Sequence, residues 1–264
     1  MLTLRSTQRE SQRFKSPLLD LFTEICKEAL HLTAQKYVDY TQENEVNFAT
    51  DIIKITTGDG LAVVFPFEGI QSIHLDFSRY LLSEIHKHNK KNDCERFTTN
   101  GWCNCHNNFN ARIGVSEGKG ILYNDLNDNY NVAGNVINIA ARIMDLADGM
   151  QILFSEQAYN NLIDMTPNTT LEESFHEYKG IEVKHNLKID VYQYCSGDDS
   201  INCEGPEDLE LSQKMAGLKK RMEAFLPLLG GDLPKKERTE KALSFMEAFA
   251  NLLEDKQDTE SSND

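Results

Sequence analysis

Apolar residues recur at helical spacing directly after Ser16-Pro17, where Leu18, Leu21, Phe22, Ile25, Ala29 and Leu32 fall on one stripe. Serine as N-cap with proline at the first helical position marks a helix start there. A second stripe, Ile70, Ile73, Phe77, Leu81, Leu82 and Ile85, predicts another amphipathic helix. Between the two, residues 51–66 read as a hairpin whose turn is Thr57-Gly58-Asp59-Gly60. Residues 89–108 are polar and rich in Asn and Cys, an insertion or loop. Residues 109–124 then predict a strand pair around Gly118 and Gly120, and 134–147 a helix. A strand QILFS follows, then a short helix over 155–163, and KGIEVKHNLKIDVYQY closes the domain as two strands with a polar turn. Strands and helices mix without the strict alternation of a parallel doubly wound fold. The pattern predicts an α+β domain, a mostly antiparallel sheet with helices on one face.

The pattern changes after residue 196. SGDDSINCEGPEDLE is acidic and carries Gly and Pro, so 197–210 reads as a linker between a 1–196 domain and a 211–264 helical tail. In the tail Leu211, Met215, Leu218, Met222 and Phe225 form a heptad-like stripe, too short for a coiled coil. Ala242, Phe245, Met246, Phe249, Leu252 and Leu253 form a second. The tail reads as a helical hairpin packed on the domain or as a dimerisation or partner-binding element, with DKQDTESSND expected to be disordered.

Composition narrows the classes. Of 264 residues, 40% are hydrophobic and 26% charged, an ordinary globular balance. The net charge of −15 opposes nucleic acid as a general partner, while a small nucleotide carried with a divalent metal remains compatible. No stretch approaches the roughly 18 uninterrupted apolar residues of a membrane span. MLTLRSTQRESQRFKS has no apolar signal-peptide core, which together predicts a cytoplasmic protein without a membrane partner. In that compartment most of the six cysteines are expected as reduced thiols. Cys94, Cys103, Cys105 and His106 cluster beside Trp102 and are zinc-ligand types. Their spacing lacks the C-x2-C knuckle, so a zinc site, an ordinary loop and a redox-sensitive cysteine all stay open. Asp59, at the hairpin tip, is by itself either a turn residue or a metal ligand.

Three segments taken together, KITTGDGLAVVF, residues 111–162 with GNVINIAAR and QILFSE, and KGIEVKHNLKIDVYQY, resemble the class III nucleotidyl cyclases. The order and most of the spacing of this adenylate and guanylate cyclase family agree from about residue 17 to 195. The resemblance implies a ferredoxin-like antiparallel sheet and formation of a 3′,5′-cyclic nucleotide and pyrophosphate from a nucleoside triphosphate. Such chemistry uses two divalent ions, Mg2+ or Mn2+, about 4 Å apart, held by carboxylates, and cationic donors at the phosphates. In the family the site exists only across a dimer, as homodimer or heterodimer. Carried over, Asp59 matches the hairpin metal ligand, Asn138 the residue that orients the ribose, and Arg142 the transition-state arginine. Lys184 matches the lysine at the terminal phosphates, although His185 replaces the usual glycine. The base-facing pair becomes Ile55 and Asn131, and Ile55 cannot hydrogen-bond a purine edge.

The family's first-strand Asp is missing. The first nineteen residues hold a single acid, Glu10. Asp20 is the nearest candidate but is expected in the first helical turn, where it suits the helix dipole. MLTLRS could be the remnant of that strand, with Arg5 or Ser6 where the Asp would sit. The alternative implied is a catalytically degenerate cyclase homology domain that senses a nucleotide or only dimerises; a plain scaffold is the third reading.

Overall fold

The computed structural model describes residues 2–6, 15–57, 60–92, 108–166, 169–183, 187–206 and 209. In chain order the elements are β1 (Leu2–Ser6), α1 (Lys15–Lys36), α2 (Val38–Glu43), β2 (Ile53–Thr57), β3 (Gly60–Val64), α3 (Ile73–Asn92) and β4 (Ala111–Val115). Then come β5 (Ile121–Asn124), β6 (Tyr130–Ala133), α4 (Asn135–Leu146), β7 (Gln151–Ser155), α5 (Glu156–Met165), α6 (Thr169–Glu173), β8 (Phe175–Val183) and β9 (Leu187–Tyr194). Seven strands form one sheet in the order β2-β3-β1-β4-β7-β9-β8, and every neighbouring pair is antiparallel except β4 with β7. The expected α+β, ferredoxin-like architecture is therefore present.

Alternate strand residues face opposite sides. On one side Val63, Ile113, Val115, Ile152 and Phe154 meet Leu18, Phe22, Ile25 and Ala29 of α1 and Phe77, Leu81 and Ile85 of α3. Both sequence stripes bury, with Leu21, Leu32 and Ile70 only half-buried and Ile70 ahead of α3, and Cys26 and Thr33 are added to the first. Burial pushes the Cys26 thiol up to about 12, so it behaves as a small apolar group. Asp76, in the first turn of α3, is bound by Lys36 Nζ at 2.6 Å and by the Tyr37 hydroxyl at 2.6 Å. That contact ties the end of α1 to α3.

The other side of the sheet carries α4. Val136 and Ala140 pack on Ala62, while Ile143 and Ala147 join Leu153, Tyr178, Ile181 and Val191. Helices therefore cover both faces rather than one. The cause is the parallel β4–β7 pair, whose crossover has to traverse a face.

Three further expectations change. β4 and β5 do not pair: β4 is an inner strand between β1 and β7, and β5 pairs with β6 in a separate two-stranded ribbon. Four of the five β4 residues are buried and all four β5 residues exposed, so the two could not share one sheet interior. The acidic stretch after 196 is also not a free linker, because Ser200, Ile201 and Leu209 are buried. Cys195 and Cys203 form a disulfide, correcting the reduced-thiol expectation for these two. MLTLRS does contain a strand, β1, seated between β3 and β4. The chain divides into two units, residues 1–209 and 210–264. The tail over 211–264 lies outside the described residues, as do Cys94, Cys103, Cys105 and His106. Among the described residues no helix is long and apolar enough to cross a membrane.

Candidate functional site

The site is built around α4. Its stripe of Val136, Ala140, Ile143 and Met144 is buried, which turns Asn138 and Arg142 to the outer side, Asn138 exposed and Arg142 half-buried. A spacing of four residues stacks them one turn apart. The helix lies directly on β4 at Gly114. A Cβ there would collide with the Ala140 carbonyl oxygen and come within 2.5 Å of the Met144 nitrogen. At the helix entry Gly134 has φ +147°, in the region that favours glycine. Arg112, also on β4, donates from Nη1 to the Ala147 carbonyl at 3.4 Å, a cation at the negative end of the helix dipole.

Ile55 and Asn131 come together. β2 and β6 place both on the wall of a cavity of about 370 Å3, with Thr50, Thr56, Asp125 and Tyr130. Ile55 is half-buried beside Ala62, Val136 and Ala140. Asn131 Oδ1 accepts from the Val132 N–H at 2.7 Å, which leaves its amide NH2 as the group it can offer a ligand. Lys54, the residue before Ile55, also lines this cavity. Its ammonium donates to the Ala49 carbonyl at 3.1 Å.

The hairpin side differs. Asp59 lies outside the described residues, as does Lys184, but its neighbour Gly60 is level with Arg5 of β1, and Arg5 is level with Arg112 of β4. A hard divalent cation takes oxygen donors. Arg5 and Arg112 carry no oxygen donor in their side chains, and Ser6 follows Arg5 at the end of β1, level with Ala111. Asp20 is exposed and stands in the second turn of α1, since the helix begins at Lys15 and has no acid in its first turn. Among the described residues no group of three or more His, Cys, Asp or Glu could hold a metal ion. Arg112 was not among the sequence candidates. Its signal is the ARIGV strand, and only the register reveals which residues it stands beside.

A larger cavity of about 430 Å3 lies at the far end of β3 from the hairpin, lined by Phe65, Phe67, His74, Val132 and Val136. It holds none of the sequence candidates. Burial drives the His74 pKa well below its ordinary value and keeps the ring neutral.

The family model described as the adenylate and guanylate cyclase catalytic domain matches residues 23–195. No curated protein matches the sequence significantly. Among solved structures, a bacterial light-regulated adenylyl cyclase is similar with TM-score 0.54 at 14% identity, covering 80% of this chain and 54% of that one. The adenylyl cyclase CyaB from P. aeruginosa aligns with TM-score 0.49 at 16% identity, covering 76% and 95%. The guanylate cyclase domain of RhGC from Catenaria anguillulae, in complex with GTP, aligns with TM-score 0.48 at 17% identity, covering 74% and 94%. The first likeness bears on the fold, and the family match spans well over half of the chain. The chain belongs to the adenylate and guanylate cyclase catalytic-domain family, the class III nucleotidyl cyclases.

Proposed function

We propose that this chain forms one half of a dimeric nucleotidyl cyclase and supplies the nucleotide-binding limb of a composite site, while a second cyclase-type chain completes the metal pair. The observation that carries the reading is the outer face of α4, where Asn138 and Arg142 stand one turn apart over a helix fixed at Gly114. Divalent metal would supply activation of the ribose 3′-hydroxyl and neutralisation of the leaving pyrophosphate. Arg142 would meet the charge that develops on the phosphates as the α-phosphate is attacked. Asn138 would orient the ribose, and Lys184 would hold the terminal phosphates. Ile55 gives the base an apolar wall, and the Asn131 NH2 suits a base that presents an acceptor. Asp59 is the carboxylate this chain would bring to the metal limb. Arg5, level with Gly60, weakens a homodimer and favours a partner that keeps both carboxylates.

The second reading, a degenerate cyclase domain that binds nucleotide without turnover, also draws on Arg5 and Ile55. One experiment separates the two. The purified chain is incubated with ATP, GTP, CTP and UTP plus manganese, alone and with a cyclase catalytic chain that keeps both metal carboxylates but lacks its own transition-state arginine. Cyclic product in the mixture, lost when this chain carries Arg142→Ala, supports the proposal. Nucleotide binding with no product in any mixture replaces it with the sensor reading.

A further inference from the structure

Past β9 the chain turns back across the end of the sheet and touches both cores. Ile201 is 5% exposed in the core beneath α1 and α3, and Leu209 is 0% exposed in the core beneath α4, which contains Ile143 and Ala147. Asn202 sits between them. Its N–H donates to the Met150 carbonyl at 2.8 Å, and its Nδ2 to the Gly149 carbonyl at 3.3 Å. Two buried glutamines converge on the next turn. Gln151 Nε2 and Gln193 Nε2 donate to the Glu204 carbonyl at 2.9 Å and 2.8 Å. Cys195, half-buried at the end of β9, is joined to Cys203, which is exposed and so within reach of a thiol in solution. Cys26 does not compete, because it is buried and its thiol is held protonated.

We infer that the Cys195–Cys203 disulfide is a redox latch that holds the strap of residues 196–206 in place, and through Leu209 steadies the seat of the helix that carries Asn138 and Arg142. The helix contact is independent of whether the chain turns over nucleotide; only an effect on catalysis rests on the cyclase proposal. Opening is a two-electron exchange with a dithiol. Its thiolate attacks the exposed Cys203 sulfur, forms a mixed disulfide and releases Cys195 as a thiolate, which takes up a proton. The second thiol of the reductant then displaces Cys203 and leaves as the cyclic disulfide. Closing returns the two electrons to a low-molecular-weight disulfide. Oxidised, the link closes a short loop and restricts the strap's open states, by roughly ten- to a hundredfold for a loop of this size. Reduced, the strap keeps its hydrogen bonds and the buried anchors Ile201 and Leu209.

Hydrogen exchange on the full chain tests the latch without reference to turnover, so an inactive protein leaves it standing and a failed latch leaves the cyclase reading standing. Peptides over 196–209 and 139–147 are followed in oxidised protein, after dithiothreitol, and in a Cys195→Ser/Cys203→Ser double variant. The expectation is exchange about ten- to a hundredfold faster in the strap on reduction, accompanied by faster exchange over 139–147. The double variant should match the reduced protein and ignore dithiothreitol, since it lacks the Cys195–Cys203 link while keeping every other cysteine. Strap exchange unchanged by reduction, a loosened strap with 139–147 unchanged, or a double variant that still responds would each overturn the latch. So would mass spectrometry that finds both cysteines as free thiols in protein trapped with alkylator from oxidatively stressed cells.

Discussion

The two faces of the sheet are built differently. On one side α1 and α3 press long apolar stripes onto the strands, and the polar groups within that layer are mostly committed to partners. Thr33 donates to the Ala29 carbonyl, Ser78 to the His74 carbonyl, and Asp76 is held by Lys36 and Tyr37. On the other side α4 rests on the sheet through small residues, Gly114, Ala62 and Ala140, and turns Asn138 and Arg142 outward. Close backbone contact there seats the helix, Val136, Ile143 and Met144 fill the rest of the contact, and the outer face carries polar groups. The first face carries stability, and the second carries the candidate chemistry.

Substitutions can break that division. The largest loss is expected on the first face. Phe77, 0% exposed and 5.6 Å in ring contact with Phe65, should cost about 3–5 kcal/mol as Phe77→Ala in denaturant unfolding. Next is the seat of α4. Gly114→Val forces the helix off β4 and should cost about 1–3 kcal/mol, with nucleotide binding lost even in protein that stays folded. A smaller effect appears with acid. His74 has a folded pKa well below its ordinary value, so below about pH 6.5 the unfolded chain binds the proton first and stability falls, by at most about 1.4 kcal/mol per pH unit. His74→Gln should flatten the melting temperature between pH 6.5 and 5; an unchanged slope would assign the acid loss to other groups. The smallest effect on stability belongs to Arg142→Ala. Its guanidinium is half-exposed, so unfolding should shift by no more than about 0.5 kcal/mol, while cyclic product from the complemented pair disappears.

The sequence revealed the first face more fully than the second. Periodicity alone placed Leu18 to Ala29 and Ile73 to Ile85, because a helix shows its buried side in three- and four-residue steps. It could not show that ARIGV leaves its apparent partner at 121–124 to pair with β1 and β7, since register between distant strands has no local signal. The same limit hid Arg112 beside Arg5, and it hid the acidic stretch as packed structure, where isolated Ile201 and Leu209 supply the anchors. On the α4 side Asn138, Arg142, Ile55 and Asn131 were singled out by resemblance to family motifs rather than by periodicity. Only coordinates could add that Ile55 and Asn131 share one cavity and that Asn131 has already used its carbonyl oxygen on the Val132 N–H.

Arg5 offers the most direct measurement. It stands level with Gly60, where the hairpin of Asp59 returns to the sheet. If the nucleotide limb of this chain is intact and only the metal limb is lost, Arg5→Asp should raise cyclic-nucleotide formation by the chain alone. The gain with manganese should be about tenfold or more, because it restores a second carboxylate for the divalent pair. It should vanish again in Arg5→Asp/Arg142→Ala. No gain from Arg5→Asp in protein that still folds and binds nucleoside triphosphate would contradict a site held back by one missing carboxylate.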